Sequence, residues 1–185
     1  TSLGDGLHPL NDNSVTRSFI FQYTQKTLMK LDLITLKYIP VLVTELPTKE
    51  NGRISEDDLR YTYHLKEGIF WDDGRKLTAK DVEFSTKMML CPLTENAQIR
   101  SNYSTVIYSI ELDPDEPLKF TMVAQGVNYT NKDVFSELYI LQENHWDPDG
   151  IVDKITFEEM HNTVEETGDR YDWFFNFNHV KNGRK

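Results

Sequence analysis

Apolar positions along the chain follow two different periods. Between Ser14 and Leu31, Phe19, Ile20, Tyr23, Thr27 and Leu28 recur at spacings of three and four, which predicts a helix with one buried face. Leu59 to Lys66 alternates instead. Leu59, Tyr61, Tyr63 and Leu65 fall on one side and Arg60, Thr62, His64 and Lys66 on the other, the pattern of a half-buried strand. Asp73-Gly74 marks a tight turn. Thr78-Ala79-Lys80-Asp81 follows as a capping box and opens a helix that carries Val82, Phe84, Ser85, Met88 and Met89. Val106–Leu112 and Leu118–Val123 are strand-like runs around Asp113-Pro114-Asp115-Glu116-Pro117 and predict a hairpin. Ile39–Leu46, interrupted by Pro40, predicts an edge strand, and Glu50-Asn51-Gly52 a turn. Asn131 is expected to cap a helix through Phe135 and Leu138. Thr156 and Glu159 cap another that should stop near Gly168. Thr1–Asn13, rich in Gly, Pro, Asp and Asn, reads as an extended loop. Hairpins outnumber crossover units, so the class is α+β with a mixed, mostly antiparallel sheet and packed helices.

Composition narrows the possible partners. A chain of 185 residues with 38% hydrophobic and 12% aromatic side chains can bury about 70% of its extended surface, enough for one substantial core or two small ones. Intrinsic disorder is excluded. No run approaches the roughly 18 uncharged apolar residues of a membrane-spanning helix. The net charge of −10 repels a phosphate backbone, so nucleic acid is not an expected partner. That charge is uneven: residues 111–172 hold 16 acidic and 4 basic side chains. Such a surplus serves either as a solubilising surface or as a face that docks a basic partner. Cys91 is the only cysteine, so no disulfide forms within the chain, and its apolar neighbours suggest a buried small hydrophobe. Thr1 opens no secretory leader, although a leader removed upstream of it fits equally well.

Catalytic chemistry finds little to work with. The chain has no glycine-rich phosphate loop, no Gly-x-Ser-x-Gly elbow and no His-Glu-x-x-His. His8, His64, His145, His161 and His179 are scattered without metal-ligand spacing. Asp147-Pro148-Asp149-Gly150 resembles part of a calcium loop. Placing Gly150 at the invariant sixth position puts His145 first and Thr156 twelfth, where acids are required, so it is expected to be a turn. Asp72 and Asp73 belong to a turn and Asp81 to a helix cap. Two glycosylation sequons, at Asn102 and Asn128, occur at the frequency chance gives. The residues alone therefore describe an acidic α+β protein that is not an enzyme, with no catalytic residue, metal or cofactor.

The run from Tyr61 to Ser85 carries a more specific signal. It reads Tyr-Thr-Tyr-His-Leu-Lys-Glu-Gly-Ile-Phe-Trp-Asp-Asp-Gly-Arg-Lys-Leu-Thr-Ala-Lys-Asp-Val-Glu-Phe-Ser. It resembles the signature of bacterial extracellular solute-binding proteins of family 5, the capturing components of peptide and nickel ABC importers. Tyr63 stands where that signature has Phe, and Lys66 where it has Arg. Leu7-His8-Pro9-Leu10, Gln25-Lys26-Thr27-Leu28 and Pro40-Val41-Leu42-Val43 resemble the family's opening segments, with Val43 in place of Ala. Leu138–Leu141 and Trp146–Gly150 resemble the segment that re-enters the larger lobe. Leu65, Ile69, Trp71, Val82 and Phe84 make a compact, chemically inert unit within the motif, which is scaffold.

The resemblance implies the N-terminal portion of a two-lobed periplasmic-binding-protein type II fold. Residues 1–44 would begin lobe I, 45–150 would form its satellite subdomain, and 151–185 would return toward a second lobe lying beyond this chain. It further implies non-covalent capture of an oligopeptide or similar small solute outside the cytoplasmic membrane, periplasmic or at the cell surface, with or without a lipid anchor. Delivery to an ABC permease in the inner membrane would follow, with the protein acting as a monomer. In peptide-binding relatives the ligand lies extended and bonds to backbone groups. By that resemblance Asn13, Ser14 and Val15 match the stretch that borders the ligand, although Asn13 or Ser14 serves equally well as a helix cap. Tyr103 is a weaker aromatic candidate, for which core packing is the competing role.

Overall fold

The computed structural model describes residues 15–92 and 97–162. Helix α1 spans Val15–Thr24 and ends seven residues before the predicted limit. Met29–Asp32 is strand β1, paired antiparallel with β2, Lys37–Pro40. The spacing of three and four misled because Leu28, in the bend before β1, and Met29, its first residue, are buried outside any helix, with the Thr27 hydroxyl donating to the Met29 carbonyl. The helix face is also different from the predicted one. Phe21 is buried, whereas Phe19 and Tyr23 are exposed. The expected strand over Ile39–Leu46 ends at Pro40, and only Val43 pairs onward, with Leu65.

The central sheet follows the alternation closely. β3 (Arg60–His64), β4 (Ile107–Leu112) and β5 (Lys119–Ala124) lie in the order β3-β5-β4, all antiparallel. Tyr61 and Tyr63 of β3 point inward with Phe120 and Met122 of β5, which stand directly opposite them. Tyr63 and Phe120 stack with ring centroids 5.4 Å apart. The register shifts between Ile107 and Ser109, so Ile107 and Ile110 are both buried while Tyr108 between them is exposed. An extra residue in one strand resets the two-residue period in this way. The outer edge of β3 is covered, because the His64 carbonyl accepts from the Thr44 N–H and the Thr62 N–H donates to the Arg53 carbonyl.

Helix α2, Ala79–Leu90, lies at the centre of the fold, with Val82, Phe84, Met88, Met89 and Leu90 all buried. Its capping box is as expected: Thr78 and Asp81 exchange hydrogen bonds, the Thr78 N–H donating to Asp81 Oδ2 at 2.9 Å. Ser85, Thr86 and Lys87 are buried too. Thr86 bonds back to the Val82 carbonyl, and Lys87 pairs with Glu83 at 2.9 Å. Cys91 closes the helix, fully buried as expected.

Helix α3, Ala97–Ser104, has no counterpart in the hydrophobic pattern because none of its residues is buried. Arg100 joins it to the rest, donating to the Leu90 and Asn162 carbonyls at 3.0 and 2.8 Å. Helix α4 runs Asn131–Ser136 and is capped at Thr130, one residue earlier than expected. The Asn131 amide instead reaches the Gly126 carbonyl. Helix α5 is Glu143–Trp146, and a 3-10 turn follows at Val152–Lys154. The Asp147–Gly150 segment is a turn, closed by the Asp147 carboxylate on the N–H groups of Ile151 and Val152 at 3.0 and 2.7 Å. Thr156 and Glu159 form the expected capping box on α6, Phe157–Met160, and the predicted stop near Gly168 lies outside the described residues.

Candidate functional site

A groove of about 840 Å³ opens where three distant segments meet: the end of α1, the hairpin at 69–77, and the stretch 140–146. The hairpin comes from its turn. Gly74 takes φ +85°, a left-handed conformation that suits glycine, and the Gly74 N–H donates to the Trp71 carbonyl at 3.0 Å. Trp71 N–H to Arg75 and Leu77 N–H to Ile69 complete the hairpin. In a pleated strand neighbouring side chains face opposite ways, so Trp71 leans on the core while Phe70 is exposed.

Side chains of α2 fix the 140–146 segment. Ser85 Oγ accepts from the Leu141 N–H at 2.8 Å, and Asp81 Oδ1 accepts from the Glu143 N–H at 3.0 Å. The Gln142 amide donates to Asp73 Oδ2 at 2.7 Å and ties this segment to the hairpin. On the α1 side, the Ile140 N–H meets the Lys26 carbonyl at 3.3 Å. The result is a groove with buried Leu42, Leu77 and Leu141 beneath, Phe70, Trp71 and Trp146 along its walls, and Lys26, Asp72 and His145 at its rim.

Two carboxylates at the groove, Asp73 and Asp81, are held for structure. The Arg75 N–H and the Gln142 amide keep the Asp73 carboxyl below its ordinary value. Burial raises Asp81, although its hydrogen bonds from Thr78 and Glu143 oppose the shift. Burial and the neighbouring Asp153 raise Glu143 to about 7. Asp73 and Asp81 have their oxygens engaged by N–H donors, so neither is placed as a base beside a nucleophile. Among the described residues, no group of three or more His, Cys, Asp or Glu is arranged to hold a metal ion. Apolar walls and a polar rim are features that suit non-covalent binding.

Two of the sequence-derived ligand residues, Asn13 and Ser14, lie outside the described residues. Val15 is the first residue of α1, and the opposite end of that helix forms part of the groove. Tyr103 lies on α3 away from the groove, half-buried against the core, with its hydroxyl donating to the Glu137 carbonyl at 3.3 Å. Sequence reasoning missed Phe70, Gln142, His145 and Trp146. The detectable signal was the Phe70-Trp71 pair: two adjacent large aromatics in an alternating hairpin cannot both enter the core.

Many acids of the 111–172 stretch are engaged locally. Asp113 accepts from the N–H groups of Asp115 and Glu116, Glu111 pairs with Arg60, Asp153 with Lys80, and Glu159 caps α6.

Residues 37–174 match the sequence model of bacterial extracellular solute-binding proteins, family 5 Middle. No curated protein matches the chain. Among solved structures, the ABC transporter substrate binding protein CtaP of Listeria monocytogenes is 22% identical with a TM-score of 0.59, covering 77% of this chain and 27% of its own. NikZ from Campylobacter jejuni, solved with Ni(L-His), is 19% identical with a TM-score of 0.61, covering 88% and 28%. The oligopeptide binding protein of Thermus thermophilus, complexed with a pentapeptide, is 20% identical with a TM-score of 0.60, covering 82% and 27%. The chain therefore spans less than a third of the length of these structures, and at such identities the likeness gives the fold.

Proposed function

The chain belongs to the bacterial extracellular solute-binding proteins of family 5, and from that we propose that it is the N-terminal portion of the substrate-capturing component of an ABC importer. The observation that carries this is the family match over residues 37–174, three-quarters of the sequence. The solute is an oligopeptide, bound outside the cytoplasmic membrane and passed to a permease. Residues 1–44 begin the first lobe, 45–150 form its satellite subdomain, and 151–185 lead toward a second lobe. Asn13, Ser14 and Val15 border the ligand through backbone groups, and Tyr103 is the aromatic candidate from the satellite subdomain.

The groove at the end of α1 supports this role, since it joins the lobe-opening segment to the satellite subdomain with apolar walls and hardly any reactive group. Non-covalent binding needs no more than that, and the family is one of binding proteins, not enzymes. In a two-lobed binder each lobe supplies part of the affinity and closure about a hinge traps the solute. If a ligand bound the whole protein at about 1 μM, with half of the free energy from each lobe, one lobe alone would bind at about 1 mM.

The test compares this chain with the longer protein that the proposal requires, by thermal shift against a mixed pool of short peptides. Stabilisation of the longer protein alone is the expected result. An unmoved longer protein would remove the peptide from the proposal, and strong stabilisation of the short chain would remove its status as half a site.

A further inference from the structure

We propose that Glu143, Asp153 and Lys80 form a proton-operated latch, closed in acid and released toward neutral pH, that holds the 140–146 wall of the groove against the 3-10 turn at Val152–Lys154. The inference is independent of which solute the groove takes. The three side chains come from three elements: Glu143 opens α5, Asp153 lies in the 3-10 turn, and Lys80 stands at the start of α2. Lys80 Nζ is 3.3 Å from Asp153 Oδ2, and the Glu143 and Asp153 carboxyls are hydrogen-bonded to each other. An ionised carboxylate only accepts hydrogen bonds, so that contact exists only while one of the pair carries a proton.

Loss of the proton parts the pair. While it is held, the two carboxyls bear one negative charge against the single positive charge of Lys80. Once it is lost, two carboxylates face one ammonium, and Asp81 adds a third. Asp81 is buried and keeps its place, because Oδ1 accepts from the Glu143 N–H and Oδ2 from the Thr78 N–H. The other charges around the pair are committed elsewhere. On α2, Glu83 pairs with Lys87 at 2.9 Å. On the hairpin, Arg75 pairs with Asp73 at 3.6 Å. After α5, the Asp147 carboxylate accepts from the Ile151 and Val152 N–H groups. Asp149 and Lys154 are exposed, where water and salt screen them. Within α5, the His145 ring stands edge-on to Trp146 at 5.3 Å. Burial and the charge of Asp153 accordingly hold the Glu143 proton up to about 7, against the pull of Lys80.

Parting the two carboxyls matters because α5 cannot hold itself. Its four residues make one turn, far below the length at which a helix is stable alone. Its position rests on side-chain ties: Asp81 to the Glu143 N–H at 3.0 Å, the Gln142 amide to Asp73 Oδ2 at 2.7 Å, and the Glu143–Asp153 contact. The first two use ionised carboxylates and persist as pH rises. Of the three, only the last is lost. Trp146, at the far end of the same turn, forms part of the groove wall, so release of Glu143 loosens an aromatic that the groove presents.

The experiment is an NMR titration of the isotopically labelled chain, following the side-chain carboxyl carbons of Glu143 and Asp153 and the indole N–H of Trp146. Because the two carboxyls titrate as a pair, both carbons should report a step near about 7, and the Trp146 signal should move with the same midpoint. Glu143→Gln, whose amide can still donate to Asp153, should hold the Trp146 signal at its acid position throughout. Asp153→Asn removes the like charge and should lower the Glu143 midpoint by about one unit or more, whereas Lys80→Gln removes the cation and should raise it. Histidine side chains titrate in the same window, so His145→Gln is the control, and it should leave the step in place. Glu143 titrating near its ordinary 4.5 overturns the proposal, and that result needs no variant to fold. A Trp146 signal that still follows pH in Glu143→Gln overturns it by assigning the change to another group. A Trp146 signal that stays fixed while Glu143 titrates in the parent overturns it too, since the proton site then moves nothing.

Discussion

Tyr63 offers the sharpest test of the packing described here. Its ring is fully buried and stacked on Phe120 across the register of β3 and β5. Its hydroxyl is buried without a hydrogen-bond partner among the described residues, and burial pushes its ionisation upward, so it stays neutral. An unsatisfied buried hydroxyl costs about 1–3 kcal/mol. Tyr63→Phe keeps the ring and its stack and gives up the few dispersion contacts of one oxygen, about 0.5 kcal/mol in all. A net gain of about 1 kcal/mol follows, which in a chain of this size raises Tm by about 2–4 °C. Urea denaturation of the two proteins reads it directly: the midpoint should rise with the slope unchanged. Destabilisation of Tyr63→Phe would refute the reasoning, because it would mean that the hydroxyl makes a bond worth keeping.

Three other outcomes follow from the same geometry. Ser85→Ala removes the acceptor for the Leu141 N–H and should cost about 1–3 kcal/mol in urea denaturation. Combined with Asp81→Ala, which frees the neighbouring Glu143 N–H, the two losses should be non-additive, since both anchor the same segment. Glu143, raised from 4.5 to about 7 by burial and Asp153, holds a proton in the folded state that the unfolded state has released. Stability should therefore fall as pH rises from about 4.5 to about 7 and level off above, and Glu143→Gln should flatten a plot of Tm against pH across that window. Titration calorimetry of this chain with short peptides should give no affinity tighter than about 10 μM if, as proposed, it is part of a two-lobed binder, because one lobe would supply only part of the binding free energy.

The parts of the fold that were legible in sequence are those fixed by local chemistry. Alternation over Leu59–Lys66, the Thr78 and Thr156 capping boxes and the Asp-Gly turn each set backbone geometry within a few residues, and the structure reproduces all of them. The helix at Ser14–Leu31 was over-extended because Leu28 and Met29 are buried by tertiary contacts of a bend and the strand it opens, and a run of apolar residues looks alike in either state. Helix α3 was hard to see for the opposite reason: none of its residues is fully buried, and Ile99 and Tyr103, one turn apart against the core, are too few to mark a period. The bulge at Tyr108 broke an alternation that the pattern alone could not resolve.

The groove was less legible than the fold because its lining is gathered from three separate segments, running from Thr24 at the end of α1 to Trp146. What joins them is polar: Gln142 to Asp73, Ser85 to Leu141, Asp81 to Glu143. Asp73, Asp81 and Ser85 belong to the stretch that carries the family resemblance, so the most recognisable residues hold the groove together. Their hydrogen-bonding capacity is used in doing so. Under the proposed function, discrimination among solutes at this groove would fall to side chains outside those contacts, at Lys26, Asp72 and His145 on the rim and Phe70 on the wall. A motif that assembles a site from its own polar groups can be shared by peptide and nickel binders alike, because the solute is chosen by residues that the assembly leaves uncommitted.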